Sequence, residues 1–198
     1  LLIELTHNIA LLFGLTFVYS LMVPRINQLD LITRSLLQGT LFGLFSILAM
    51  ISAIPVGNGF LIDGRIVVVS IAGAFTGGLS TLITTLIIIG CRLILGGAGA
   101  FSSIPSVGIA ALVSFFLFRP QNKYTGQQLI RNLSMIGIIN TLQTLFWIWL
   151  LGGEQSPAIL RQVALPLLVF TPMGTVLLVF LLFYQTQQYE IASAISAS

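Results

Sequence analysis

Residues 61–118 read LIDGRIVVVSIAGAFTGGLSTLITTLIIIGCRLILGGAGAFSSIPSVGIAALVSFFLF, an apolar stretch cut by glycine clusters, with Arg65 and Arg92 set into it. A charge at bilayer depth costs several kcal/mol, roughly 2.5–3.5 at a helix centre on the mildest insertion scales. An arginine in such a stretch therefore snorkels to an interface or holds something negative. Asp63 is the one acidic residue in the stretch.

The rest of the chain has the same character. Of its 198 residues, 57% are hydrophobic and only 7% charged, with a mean hydropathy of +1.07. A soluble domain carries roughly a quarter charged residues, so this is an integral membrane protein. Runs of about 20 apolar residues suit helices rather than the alternating strands of a barrel. The lone cysteine, Cys91, allows no internal disulfide, and in an apolar run it reads as a small buried residue. Nothing points to nucleic acid. The chain opens Leu1-Leu2 without a recognisable signal peptide and looks like a piece of a longer polypeptide.

Working outward, the first span covers about Leu5 to Val23 and ends at Pro24-Arg25, followed by a short polar link. The second covers about Ser35 to Ile54 and contains Gly39-x-x-x-Gly43, a spacing that lets helix backbones approach closely. Residues 55–59, Pro-Val-Gly-Asn-Gly, form a turn cluster. Ile66 to Leu95 is either one long tilted helix or two short ones broken at Gly77-Gly78. With one helix, Arg25, Arg34, Arg92 and Arg161 oppose Arg65, Arg119, Lys123 and Arg131, and no orientation follows. With a break, Arg25, Arg34, Arg119, Lys123 and Arg131 share one face with the C-terminus, while Arg65, Arg92 and Arg161 face outward. The break is the better reading.

Further spans are expected at about Pro105–Phe118, Leu129–Leu151 and Arg161–Tyr184, the last kinked by Pro166 and Pro172. Residues 152–157 form an outer loop with Trp147 and Trp149 as interfacial anchors. The expected fold is thus an all-α integral membrane protein of about seven transmembrane helices, two of them short and broken at Gly77-Gly78. Residues 1–184 form the transmembrane domain. Residues 185–198 begin a helical connector to a cytoplasmic domain beyond this chain.

There is no catalytic constellation: His7 is the only histidine, no carboxylate pair lies in a span, and no metal-ligand spacing or P-loop occurs. No metal or cofactor is expected. A binding site is better supported. Pro105 favours the first position of a helix, which would place a helix N-terminus, favourable to anions, just after the glycine cluster 96–100. Ser103 and Ser106 flank that start, Arg92 ends the preceding helix, and Arg65 begins the one before. Two guanidinium forks, two hydroxyls and a helix N-terminus suit a small carboxylate. The alternatives stay open: Arg92 snorkelling, Arg65 paired with Asp63, the serines as plain caps. Asn140 and Gln143 either line a pocket or bond between helices.

These residues also resemble a known family. Asp63-Gly64-Arg65, the run AGAFTGG at 72–78, Cys91-Arg92-Leu93 and the run LGGAGA at 95–100 are similar to the LYT-type multi-transmembrane receptor region of LytS-like bacterial sensors. The likeness extends from about Leu5 to Leu182. The turn at 75–79 lacks the family's proline, and Cys91 stands where tyrosine is usual. The resemblance implies the receptor module of a bacterial sensor histidine kinase or a diguanylate cyclase in the cytoplasmic membrane, with its C-terminus cytoplasmic. The implied ligand is a small, pyruvate-like carboxylate at Arg65, Arg92, Ser103 and Ser106. The implied partners are membrane lipid, an effector domain in the same polypeptide and a second copy in a homodimer. The region is also similar to the substrate-binding subunits of energy-coupling-factor transporters, so a solute-uptake subunit is the competing reading, and a plain membrane anchor a third.

Overall fold

The computed structural model describes residues 2–57, 60–96, 99–117, 126–151 and 153–196. Over these residues the chain forms α1 (Leu2–Ile26), α2 (Leu31–Ile51), strands β1 (Ile54–Gly57) and β2 (Phe60–Ile62), α3 (Arg65–Phe75), α4 (Gly78–Leu95), α5 (Gly99–Leu117), α6 (Gly126–Leu151) and α7 (Ser156–Ser196). A single 3-10 turn, Gly153–Gln155, leads into α7. Five helices are long and apolar enough to cross a membrane, and the chain is a multi-pass membrane protein.

The break expected at Gly77-Gly78 is present. Gly77 has φ of 86°, a left-handed conformation that reverses the chain between α3 and α4 and that a side chain would oppose. The two short helices then differ sharply in environment. In α3, nine of eleven residues are buried, because α2, α4, α5, α6 and α7 all pack around it. Its apolar residues cover every face, as a fully enclosed helix requires. At about 1.5 Å per residue it is roughly 16 Å long, about half the ~30 Å apolar thickness of a bilayer.

Two clusters of buried side chains hold this arrangement. One joins Leu15 and Tyr19 of α1, Phe42 of α2, Val68 and Ile71 of α3, Ile136 of α6 and Leu178 of α7. The other joins Met50 of α2, Val69 of α3, Ile88 of α4 and Val107 of α5. The outer faces stay apolar: Phe17 is 63% exposed, Leu165 75% and Ile94 88%. In water such a surface would aggregate; here it faces lipid.

Small residues bring helices close. A Cβ on Gly39 would lie 2.7 Å from Cβ of Ile83, and one on Gly43 2.6 Å from Cδ1 of Ile87. The Gly39-x-x-x-Gly43 spacing is therefore the seam between α2 and α4, where Thr84 Oγ1 also donates to the Gly39 carbonyl at 3.1 Å. Gly73 plays the same part against Ser114 of α5.

Several expected boundaries move. The first helix runs on through Pro24 to Ile26. The second starts at Leu31, where Asp30 caps it by accepting from Thr33 N at 3.0 Å and Ile32 N at 3.2 Å; these bonds, that to Thr33 first, hold the Asp30 carboxyl below its ordinary pKa. The turn cluster at 55–59 sits within a β-hairpin, with Ile54 opposite Ile62 and Pro55 opposite Leu61. Strand-forming valine, isoleucine and phenylalanine around an Asn-Gly pair favour that form, so the fold is helical apart from one hairpin. The pair itself, Asn58-Gly59, and the basic link Arg119–Lys123 lie outside the described residues. Finally, α7 is continuous over 41 residues with Pro166 and Pro172 inside it. Prolines are tolerated in membrane helices because neighbours satisfy the freed carbonyls, and Pro172 is packed directly on Gly137 of α6.

Candidate functional site

The site begins in the turn Asp63-Gly64-Arg65. Asp63 Oδ1 accepts from the Arg65 backbone N–H at 3.0 Å and lies 3.3 Å from Arg65 Nε, so one carboxylate oxygen both starts α3 and orients the guanidinium. Asn8 clamps the turn from α1. Its Oδ1 accepts from Gly64 N at 3.2 Å, and its Nδ2 donates to the Ser52 carbonyl at 3.1 Å, beyond the end of α2. One amide therefore ties three helix ends together.

Arg92 enters from the last turn of α4. That helix stops at Gly96, whose φ of 65° turns the chain away while its N–H caps the Arg92 carbonyl at 3.0 Å. Arg92 lies within electrostatic reach of both Arg65 and Asp63. All four residues expected to bind are buried: Arg65 is 6% exposed, Arg92 2%, Ser103 4% and Ser106 5%. Both arginines are enclosed by protein rather than exposed on the outer faces of their helices. The pairing of Arg65 with Asp63 is present as well, so the cluster joins two guanidiniums and one carboxylate. Burying a charge is tolerated where a counter-charge completes it.

The expected helix start at Pro105 is corrected. The fifth helix begins at Gly99, and Pro105 lies inside it. The pre-proline bias against helical geometry is only a bias, and the helix absorbs the one missing N–H. The helix N-terminus is thus not at Pro105, and Ser103 and Ser106 are not its caps. They sit three apart on one buried face of α5, where their side chains point into the bundle.

α6 supplies a polar stripe facing this cluster. Gln143 Nε2 donates to the Ser106 carbonyl at 2.9 Å, and Asn140 Nδ2 donates to Ser70 Oγ of α3 at 2.7 Å. Of the two readings left open for these residues, bonding between helices is the one observed. Trp147, one turn on, was expected at the interface, yet its Nε1 is buried with no hydrogen-bond partner among the described residues. Trp149, 61% exposed, faces outward. Asn8 went unnoticed in the sequence, though an amide in a membrane span is itself a signal.

A separate cavity of about 270 Å³ adjoins the same turn. Asn8, Asp63, Gly64 and Val67 line it together with Pro166, Phe170, Thr171 and Gly174 of α7, and neither arginine does. No group of His, Cys, Asp and Glu able to hold a metal occurs among the described residues. Cys91 is a half-buried free thiol packed against the second cluster.

The described helices thus form a polytopic membrane bundle with Arg65, Arg92 and Asp63 gathered near one end. The family model for the 5TMR of 5TMR-LYT matches residues 16–184, and the chain belongs to that family. It is 23% identical over 172 residues to a sensor protein LytS of Staphylococcus epidermidis, covering 78% of this chain and 29% of that protein. It is 24% identical over 207 residues to the sensor protein LytS of Staphylococcus haemolyticus, covering 92% of this chain and 35% of that one. The chain thus spans about a third of the length of these relatives. No solved structure matches it, and the likeness to energy-coupling-factor transporter subunits rests on the sequence alone.

Proposed function

We propose that this chain is the transmembrane receptor module of a bacterial sensor histidine kinase. In this reading it takes up a small, pyruvate-like carboxylate from the outer side of the cytoplasmic membrane. Arg65 and Arg92 grip the carboxylate, with Ser103 and Ser106 beside it. The observation that carries the reading is the burial of two arginines against one aspartate at a single end of the bundle. Two planar guanidinium forks suit a carboxylate better than a spherical ion. The family membership and the LytS relatives support the signalling role.

The polar atoms of the cluster are sealed from solvent in this conformation, so ligand entry requires the surrounding helices to part. That opening is the natural signal, because a ligand shifts a two-state receptor only by its differential affinity for the two states. The long α7 is the natural carrier. At about 1.5 Å per residue, 41 residues reach roughly 62 Å, twice the apolar thickness of a bilayer, and residues 185–198 would lead to the effector in the same polypeptide. A homodimer would bring two such helices side by side. This continuous helix favours signalling over a solute-uptake subunit, which has no use for it; a diguanylate cyclase effector would be driven in the same way. Titration of the protein in lipid nanodiscs with pyruvate and other short acids tests the reading, with saturable micromolar-to-millimolar binding expected and no binding of any short acid contradicting it.

A further inference from the structure

The cavity of about 270 Å³ beside the Asp63-Gly64 turn runs between α1 and α7. Its lining on α7 extends from Pro166 to Leu178, roughly 18 Å at about 1.5 Å per residue, so it is elongated along the helix. Its deep wall is Leu12, Val67 and Leu178, all buried members of the main core cluster. Ile9, Phe13, Phe170, Met173 and Leu177 also line it, and these are exposed on the outer surface of the bundle. The cavity is therefore a groove that opens to the lipid-facing side and reaches in to the central helix α3. Gly174 helps to hollow it: a Cβ there would meet only Val67, at 3.9 and 4.0 Å, so a side chain has room to enter.

The chemistry of the lining does not suit a second acid. The one charged group along the described lining is Asp63, which repels a carboxylate, and neither Arg65 nor Arg92 contributes. Asn8 is engaged with Gly64 and Ser52, and Asp63 Oδ1 with Arg65, so these polar groups serve the turn. Apolar cavities hold water poorly, and an unfilled one forfeits the dispersion contacts of its walls. The volume falls below the roughly 300–1,000 Å³ of sites for drug-sized ligands, which suits a single chain rather than a whole lipid.

We propose that this groove is a lipid site, in which one hydrocarbon chain of a bilayer phospholipid seats between α1 and α7 and reaches Val67 of α3. The seated chain lies against Asp63 and Gly64, the turn from which Arg65 projects, and against Pro166 of α7. It thereby joins the surrounding bilayer to the arginine cluster and to the longest helix.

Native mass spectrometry of the protein released from nanodiscs of a single phosphatidylglycerol tests this. The parent is expected to retain bound phospholipid. Gly174→Leu, which fills the groove from α7, should retain one lipid fewer per chain. Leu112→Phe, on an exposed position of α5 outside the groove, should retain as many as the parent. No retained lipid in the parent, or the same number in Gly174→Leu, overturns the proposal. A lipid-free pair of chains that Gly174→Leu separates also overturns it, by giving the groove to a second copy. Should the leucine variant fail to fold, Ile9→Trp narrows the groove from α1 and decides in the same way.

Discussion

Asn8 and Gly64, 56 positions apart in the chain, are joined by a 3.2 Å hydrogen bond from the Gly64 N–H to the Asn8 side-chain oxygen, and this bond fixes the turn from which Arg65 projects. The contact ties the first helix to the start of the central one, and Asn8 also lines the cavity beside α7.

Asn8→Ala leaves the buried Gly64 N–H and the Ser52 carbonyl without their partner. A buried group so orphaned costs about 1–3 kcal/mol. The expected outcome is a lower unfolding midpoint in mild denaturant, with weaker acid binding because Arg65 loses its fixed origin. An unchanged midpoint and affinity would show that the turn is held by Asp63 alone.

The helix seam gives a second prediction. Gly39→Ala forces a methyl against Ile83 and the Ser80 carbonyl, whereas Gly108→Ala meets nothing within 4 Å. Overpacking of this kind costs about 1–3 kcal/mol, while alanine in an open helix position gains about 0.5–1 kcal/mol over glycine. Thermal unfolding of the two variants should therefore move in opposite directions. Equal shifts would mean that α2 and α4 are not in close contact.

The sidedness of the bundle is tested by labelling. Gln155 is exposed on the turn before α7, at the end of the bundle that holds the arginines. Cysteine placed at Gln155 should react with an impermeant outer reagent and cysteine at Asn122 should not. The opposite pattern would place the arginine cluster on the cytoplasmic side.

Transmission predicts a different kind of variant. Pro172 packs with its backbone on Gly137, where an added Cβ would lie 2.5 Å from Pro172 Cα. Pro172→Ala restores a helical N–H and stiffens α7 at its contact with α6. Ligand affinity should be nearly unchanged, while ligand-dependent kinase output of the full-length protein is blunted. A parental response would move the signal path away from α7.

Much of this was legible in the sequence because membrane helices announce themselves by length and apolarity. The charge bias chose the break at Gly77, and the left-handed turn there follows from it. Gly39 and Gly43 likewise declared a close crossing, and the DGR turn and Arg92 stood out as charged residues in apolar surroundings. What misled was Pro105. In water a proline that far into a helix signals a start, but a bundle that encloses the helix tolerates the lost N–H, so Ser103 and Ser106 came to lie on a helix face. Asn8 was legible only as an amide within a span, and the partners of Asn8 and the burial of Trp147 were not legible. Each depends on which neighbour packs opposite, and a span pattern does not carry that information. The hairpin at 54–62 was too short for its alternation to stand out against the apolar background.

The central claim is that Arg65 and Arg92 together grip a carboxylate, and one comparison addresses it most directly. Arg65→Lys and Arg92→Lys keep the positive charge but lose the planar fork. Each should cost roughly 1–3 kcal/mol of binding, or about ten- to a hundredfold in the Kd for a short acid measured by calorimetry. Unchanged affinity in both lysine variants, in protein that is folded and embedded in lipid, would contradict the account.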